Sequence, residues 1–127
     1  MMALYIALAR GMEEKQLGQF GAVEIVQGEL RDPVGNTLLA RHVHHRWLVG
    51  DSPQSFERLE VIGPVYVMAL DGKSQKLGPY GHFSLVNGVL YADRRVFGFV
   101  DVQQSNIYLT DLGEHCTGIR LEFNRRG

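Results

Sequence analysis

Apolar and polar positions alternate along most of this chain with a period of two. In residues 119–123, Ile119, Leu121 and Phe123 point one way while Arg120 and Glu122 point the other, the pattern of a half-buried antiparallel strand. Residues 4–8 (LYIAL) are apolar enough for a first buried strand, and residues 22–30 place Val23 and Ile25 opposite Glu24. Residues 56–62 and 65–70 form one bent strand or two short ones, with Gly63-Pro64 marking the break because proline cannot donate to a ladder. Residues 96–102 and 107–112 read as two further strands. Only residues 12–17 suggest a helical turn or two, and glycines around them prevent anything longer.

The sharpest local signal is Asn87-Gly88, set between apolar runs in the stretch 81–102. A type I′ turn needs positive φ at both central residues, which Asn-Gly supplies at little cost. A two-residue loop there pairs Val86 with Val89, Leu85 with Leu90, Ser84 with Tyr91, Phe83 with Ala92 and His82 with Asp93. Phe83, Leu85, Leu90 and Ala92 then make a core face, with Phe97 and Phe99 beside them. His82, Ser84, Tyr91 and Asp93 make the opposite face. Gly98, inside a strand, marks a bulge, a bend or a close backbone approach.

Residues 31–36 (RDPVGN) predict a second hairpin, whose return strand is residues 37–49. One face of that strand carries Leu38, Ala40, His42, His44, Arg46 and Leu48, although a strand so long usually bends. Residues 51–55 are a loop, residues 73–81 a mobile surface loop, residues 103–106 and 113–118 turns, and residues 124–127 a fraying basic tail. With about eight to ten strands and a turn signal about every ten residues, the chain reads as a single all-β domain over residues 1–127, an antiparallel β-sandwich or β-barrel with little helix.

Composition narrows the partners. The 127 residues carry 13 basic and 14 acidic side chains, a formal charge of −1, which offers no global field for nucleic acid or an anionic membrane. The one cysteine, Cys116, excludes an internal disulfide framework. Residues 1–9 lack a positive n-region and fall short of the roughly 20 apolar residues of a membrane helix. The expected location is the cytoplasm.

Three places could carry chemistry. His42, His44 and Arg46 on one strand face would form a positive stripe for a carboxylate or phosphate, with Lys73, Lys76, Arg94 and Arg95 adding to it if the fold brings them near. The two histidines could also share a metal ion with a third ligand from a neighbouring strand. His82 opposite Asp93, with Tyr91 and Ser84 on the same face, makes a His–Asp pair. Ser84 has no nucleophile elbow and no oxyanion donors, so that cluster reads as a ligand-binding or stabilising polar face. His115-Cys116 in the last turn is too local for a Cys–His nucleophile.

The expectation that follows is a non-enzymatic binding or assembly module recognising a protein partner or itself, with a homodimer favoured by unpaired strand edges. The alternative is a small barrel binding an anionic small molecule or a metal ion through His42, His44 and Arg46, with enzymatic activity as an option. No cofactor and no catalytic residue is assigned. Tyr80, Tyr91 and Tyr108 could stack bases, but the near-neutral charge argues against nucleic acid.

Overall fold

A computed structural model describes residues 3–71, 75–101 and 106–123. Lys73, the turn at residues 103–105 and the basic tail lie outside the described residues. Among the described residues there is no helix, and the strands number fourteen. In chain order they are β1 (Leu4–Arg10), β2 (Glu13–Phe20), β3 (Ala22–Val26), β4 (Glu29–Asp32), β5 (Thr37–Val43), β6 (Arg46–Leu48) and β7 (Ser55–Phe56). They continue as β8 (Arg58–Leu70), β9 (Lys76–Val86), β10 (Val89–Ala92), β11 (Arg95–Asp101), β12 (Asn106–Leu109), β13 (Glu114–Cys116) and β14 (Gly118–Phe123).

The strands belong to one antiparallel sheet ordered β13-β12-β11-β10-β9-β8-β14-β3-β4-β5-β6-β7, whose pairing does not close. β8 is the spine. Along one edge it pairs with β9, and along the other it serves two strands end to end. Arg58–Ile62 of β8 pair with β1, and Val65–Leu70 pair with β14. The change of partner falls at Gly63-Pro64, where Gly63 takes φ 128° and the ladder to β9 shifts register. Leu59, Val61, Val65, Val67 and Ala69 keep the same parity through the kink, so β8 feeds one core from end to end. Phe83, Leu85, Leu90, Ile119, Leu121 and Trp47 pack into the same cluster.

The count of fourteen replaces the expected eight to ten, and the reasons are local. Residues 13–17 are strand and Met12 is in the turn before them, because one short turn cannot offset the cost of nucleating a helix and β1 needs an edge partner. Residues 22–30 fold back at Gln27-Gly28 and residues 37–49 fold back at His44-His45. Each pair has positive φ at both positions, 50° and 74°, then 51° and 63°, the type I′ signature. The loop expected to run to Gly81 ends early, since β9 begins at Lys76. β13 occupies the expected turn at 113–118.

The Asn87-Gly88 hairpin has the expected register from Val86↔Val89 to Phe83↔Ala92, and its core face is buried. Beyond it, the ladder between β10 and β11 slips at Leu90/Tyr91. Phe97 and Gly98 therefore both turn inward, and Phe99 faces out instead of joining the core. Gly98 is the close approach anticipated for it: a Cβ there would stand 2.2 Å from the Tyr108 carbonyl oxygen.

Asp93-Arg94 is another type I′ turn, with φ 50° and 69°. Arg94 is exposed and holds a left-handed backbone that costs a non-glycine residue about 1 kcal/mol. Arg94→Gly is expected to stabilise the fold by about 0.5–1 kcal/mol in urea unfolding. A loss of stability would show that the arginine side chain contributes more than the turn costs.

Candidate functional site

The histidine hairpin divides the first group of expected residues. His42 stands opposite Trp47, so the two share a face, while Arg46 stands opposite Val43 on the other face. His44 is exposed in the turn. His42, His44 and Arg46 thus form no single stripe, because the strand that was to align them reverses at His44. Arg46 is engaged internally: its Nε donates to Ser55 Oγ at 3.1 Å and a terminal nitrogen donates to the Ser55 carbonyl at 3.3 Å, tying β6 to β7.

His42 and His45 do come together. Their ring centroids are 6.0 Å apart, and the His42 ring lies 4.7 Å from that of Trp47. His42 Nε2, His45 Nδ1 and Trp47 Nε1 are buried without a hydrogen-bond partner. The His45 ring packs on the other hairpin's turn, where a Cβ on Gly88 would stand 2.6 Å from Nδ1. A void of about 20 Å³, lined in part by His42, Gln27, Asn106 and Thr117, has room for one water. Among the described residues no group of three or more His, Cys, Asp or Glu is placed to hold a metal ion.

In the second group Asp93 stands opposite His82 as expected, its N–H donating to the His82 carbonyl at 2.9 Å, but its carboxylate is not bonded to the His82 imidazole. It sits in the turn, and its Oδ1 accepts the backbone N–H groups of Gly81 (2.9 Å) and His82 (3.0 Å). His82 Nε2 bonds Glu60 of β8 instead, and Glu60 also accepts from Arg58 Nε at 3.2 Å. The ladder from β8 to β9 makes this partner available, since Ile62 opposes His82 and Glu60 opposes Ser84. Sequence order along one hairpin could not show a neighbour from the strand on its other side. Tyr91 is half-buried opposite Ser84, and Ser84 is buried.

What these residues share is the outward face of β8–β13. Two rows cross it through the ladders. One runs Arg58, Val86, Val89, Phe99, Tyr108, His115, and the other Glu60, Ser84, Tyr91, Val96. Val96 is 50% exposed and Phe99 45%, while Val86, Val89, Tyr91 and Tyr108 are half-buried. The His115 ring lies on that of Tyr108 at 4.9 Å. Strict alternation hid this face, because it assigns Phe99 to the core along with Phe97. The available signal was Gly98, whose bulge reverses the phase.

Two hollows border the face. One, of about 350 Å³, is lined by Ile62, Gly63, Pro64, Pro79, Tyr80 and Gly81 where the β8–β9 ladder is interrupted. The other, of about 240 Å³, is lined by Tyr80, Ala92, Arg95, Val96, Phe97 and Asp111. Tyr80 belongs to both, with its ring edge-on to Phe97 at 5.5 Å. Burial raises its phenol pKa, and the charges of Asp111 and Asp93 add to the rise. Compared with protein-family models, with curated proteins and with solved structures, the chain matches none.

Burial pushes the His42 imidazole from 6.5 down to about 4, with His45 contributing in the same direction. The unfolded chain therefore takes up a proton near pH 6.5 that the folded chain refuses until about pH 4. This contribution to stability is complete above pH 6.5 and falls away toward pH 4, at up to about 1.4 kcal/mol per unit. In urea unfolding, the stability of the parent chain should drop more between pH 7 and 5 than that of His42→Gln. Parallel curves would show that His42 is not desolvated.

Proposed function

We propose that this chain is a non-enzymatic binding and assembly module that engages a protein partner through the outward face of β8–β13. The observation that carries the reading is the contiguous apolar surface of Val86, Val89, Tyr91, Val96, Phe99 and Tyr108 on four adjacent strands. Apolar surface of this continuity, with polar groups at its margin, is what protein contacts use. The nearby polar side chains act inward: Arg58 bonds Glu57 and Glu60, His82 bonds Glu60, and Asp93 caps backbone. They position the strands, and the surface left for a partner is aliphatic and aromatic.

The same reading takes residues 1–127 as one domain, its open sheet curled toward a barrel. In support, the Glu57 N–H at the end of β7 donates to the Ala9 carbonyl of β1. It also places the chain in the cytoplasm, where the buried Cys116, its pKa raised chiefly by burial, stays a thiol. No helix among the described residues is long and apolar enough to cross a membrane.

A photo-crosslinking residue placed at Phe99 in cells that make the protein should capture protein. The same residue at Val34, fully exposed in the loop between β4 and β5, is the control. Capture at Phe99 well above that at Val34 is expected. Equal or absent capture at Phe99 would overturn the assignment of this face.

A further inference from the structure

Four of the described arginines are ion-paired: Arg10 with Glu13, Arg31 with Glu29, Arg58 with Glu57 and Glu60, and Arg120 with Glu24 and Glu122, while Arg41, Arg46, Arg94 and Arg95 have no ion pair among the described residues. What distinguishes Arg95 is that it shares one hollow with an acidic side chain, Asp111. Both are exposed, both line the hollow of about 240 Å³ beside Val96, and neither has an ion-pair partner among the described residues. The other charges near this hollow are accounted for differently. Asp93 is held by two backbone N–H groups, and Arg94 stands exposed in the turn. Tyr80 stays a neutral phenol between Asp111 and Asp93.

An isologous contact needs one patch that complements itself, because each residue meets the partner's copy of a different residue on the same patch. This patch has the ingredients: a cation and an anion on one hollow, neither ion-paired among the described residues, and apolar side chains that stand out beside it. Val96 is 50% and Ile62 48% exposed, and Tyr80 joins the two hollows they border. We propose that the partner of this face is a second copy of the chain. A two-fold axis through the Tyr80 hollow sets Arg95 of each copy against Asp111 of the other and covers Val96 and Ile62. The proposal rests on the reading that this face binds protein, and it names the partner.

The test uses the purified full chain and static light scattering across a concentration series. The parent chain is expected to dimerise. Arg95→Asp or Asp111→Arg alone turns both contacts repulsive and should raise the dimer Kd at least about tenfold. The double variant R95D/D111R should recover dimerisation. An equimolar mixture of the two single variants should also recover it, since every contact then joins opposite charges again. Recovery on mixing cannot arise from variants that have merely misfolded. A parent chain that stays monomeric, or single variants that dimerise as the parent does, overturns the proposal. If the chain is monomeric while Phe99 captures a different protein, the second copy is excluded and the binding role of the face stands.

Discussion

The whole sheet depends on one strand satisfying three neighbours. β8 has two edges, and one of them must serve β1 and β14 in succession. Gly63-Pro64 makes that exchange: proline has no N–H to offer a ladder, and the glycine accepts a φ of 128° that other residues rarely adopt. Because the core-facing parity of β8 survives the kink, the sheet changes neighbours without dividing its core. The cost is an interrupted ladder to β9, and that interruption opens the hollow at Ile62, Pro64 and Pro79. The constraint that organises the fold thus also shapes its surface.

The second determinant is a set of two-residue turns, and here legibility varied with residue type. Asn87-Gly88 could be read directly, because its residues relieve the strain that positive φ imposes. His44-His45 and Asp93-Arg94 take the same backbone form without a glycine. Asp and His tolerate a left-handed backbone better than most residues, but without a glycine the signal is weak. His45 is held in place by packing on Gly88, so one hairpin's turn supports another's from across the fold. Tertiary contact of this kind leaves no trace in a window of ten residues. The strand class, the central hairpin's register and its core face were legible, because each is decided by period-two burial and one turn.

The expected site residues were legible as polar and misread as groups. Missing the turn at His44 placed His42 and Arg46 on one face, when they project to opposite ones. Placing Asp93 in a strand gave it to the His82 side chain, when its turn position gives it to backbone. The second keeps Asp93 opposite His82 and changes only the partner of its carboxylate, whereas the first is an error of phase, which in a sheet moves a side chain to the other side. The bulge at Phe97–Gly98 has the same effect with the opposite consequence. It takes Phe99 out of the core and completes the apolar face that carries the functional reading.

That face is either a surface held for a partner or a poorly covered part of the core, and the two differ in what Val96 and Phe99 contribute. The most direct measurement is thermal unfolding of the double variant Val96→Ser, Phe99→Ser, read beside its association by light scattering. Association should be lost while the midpoint falls by no more than about 5 °C, since both side chains are already half-exposed. A fall of more than about 10 °C with association unchanged would contradict this expectation, and would return Phe99 to a structural role.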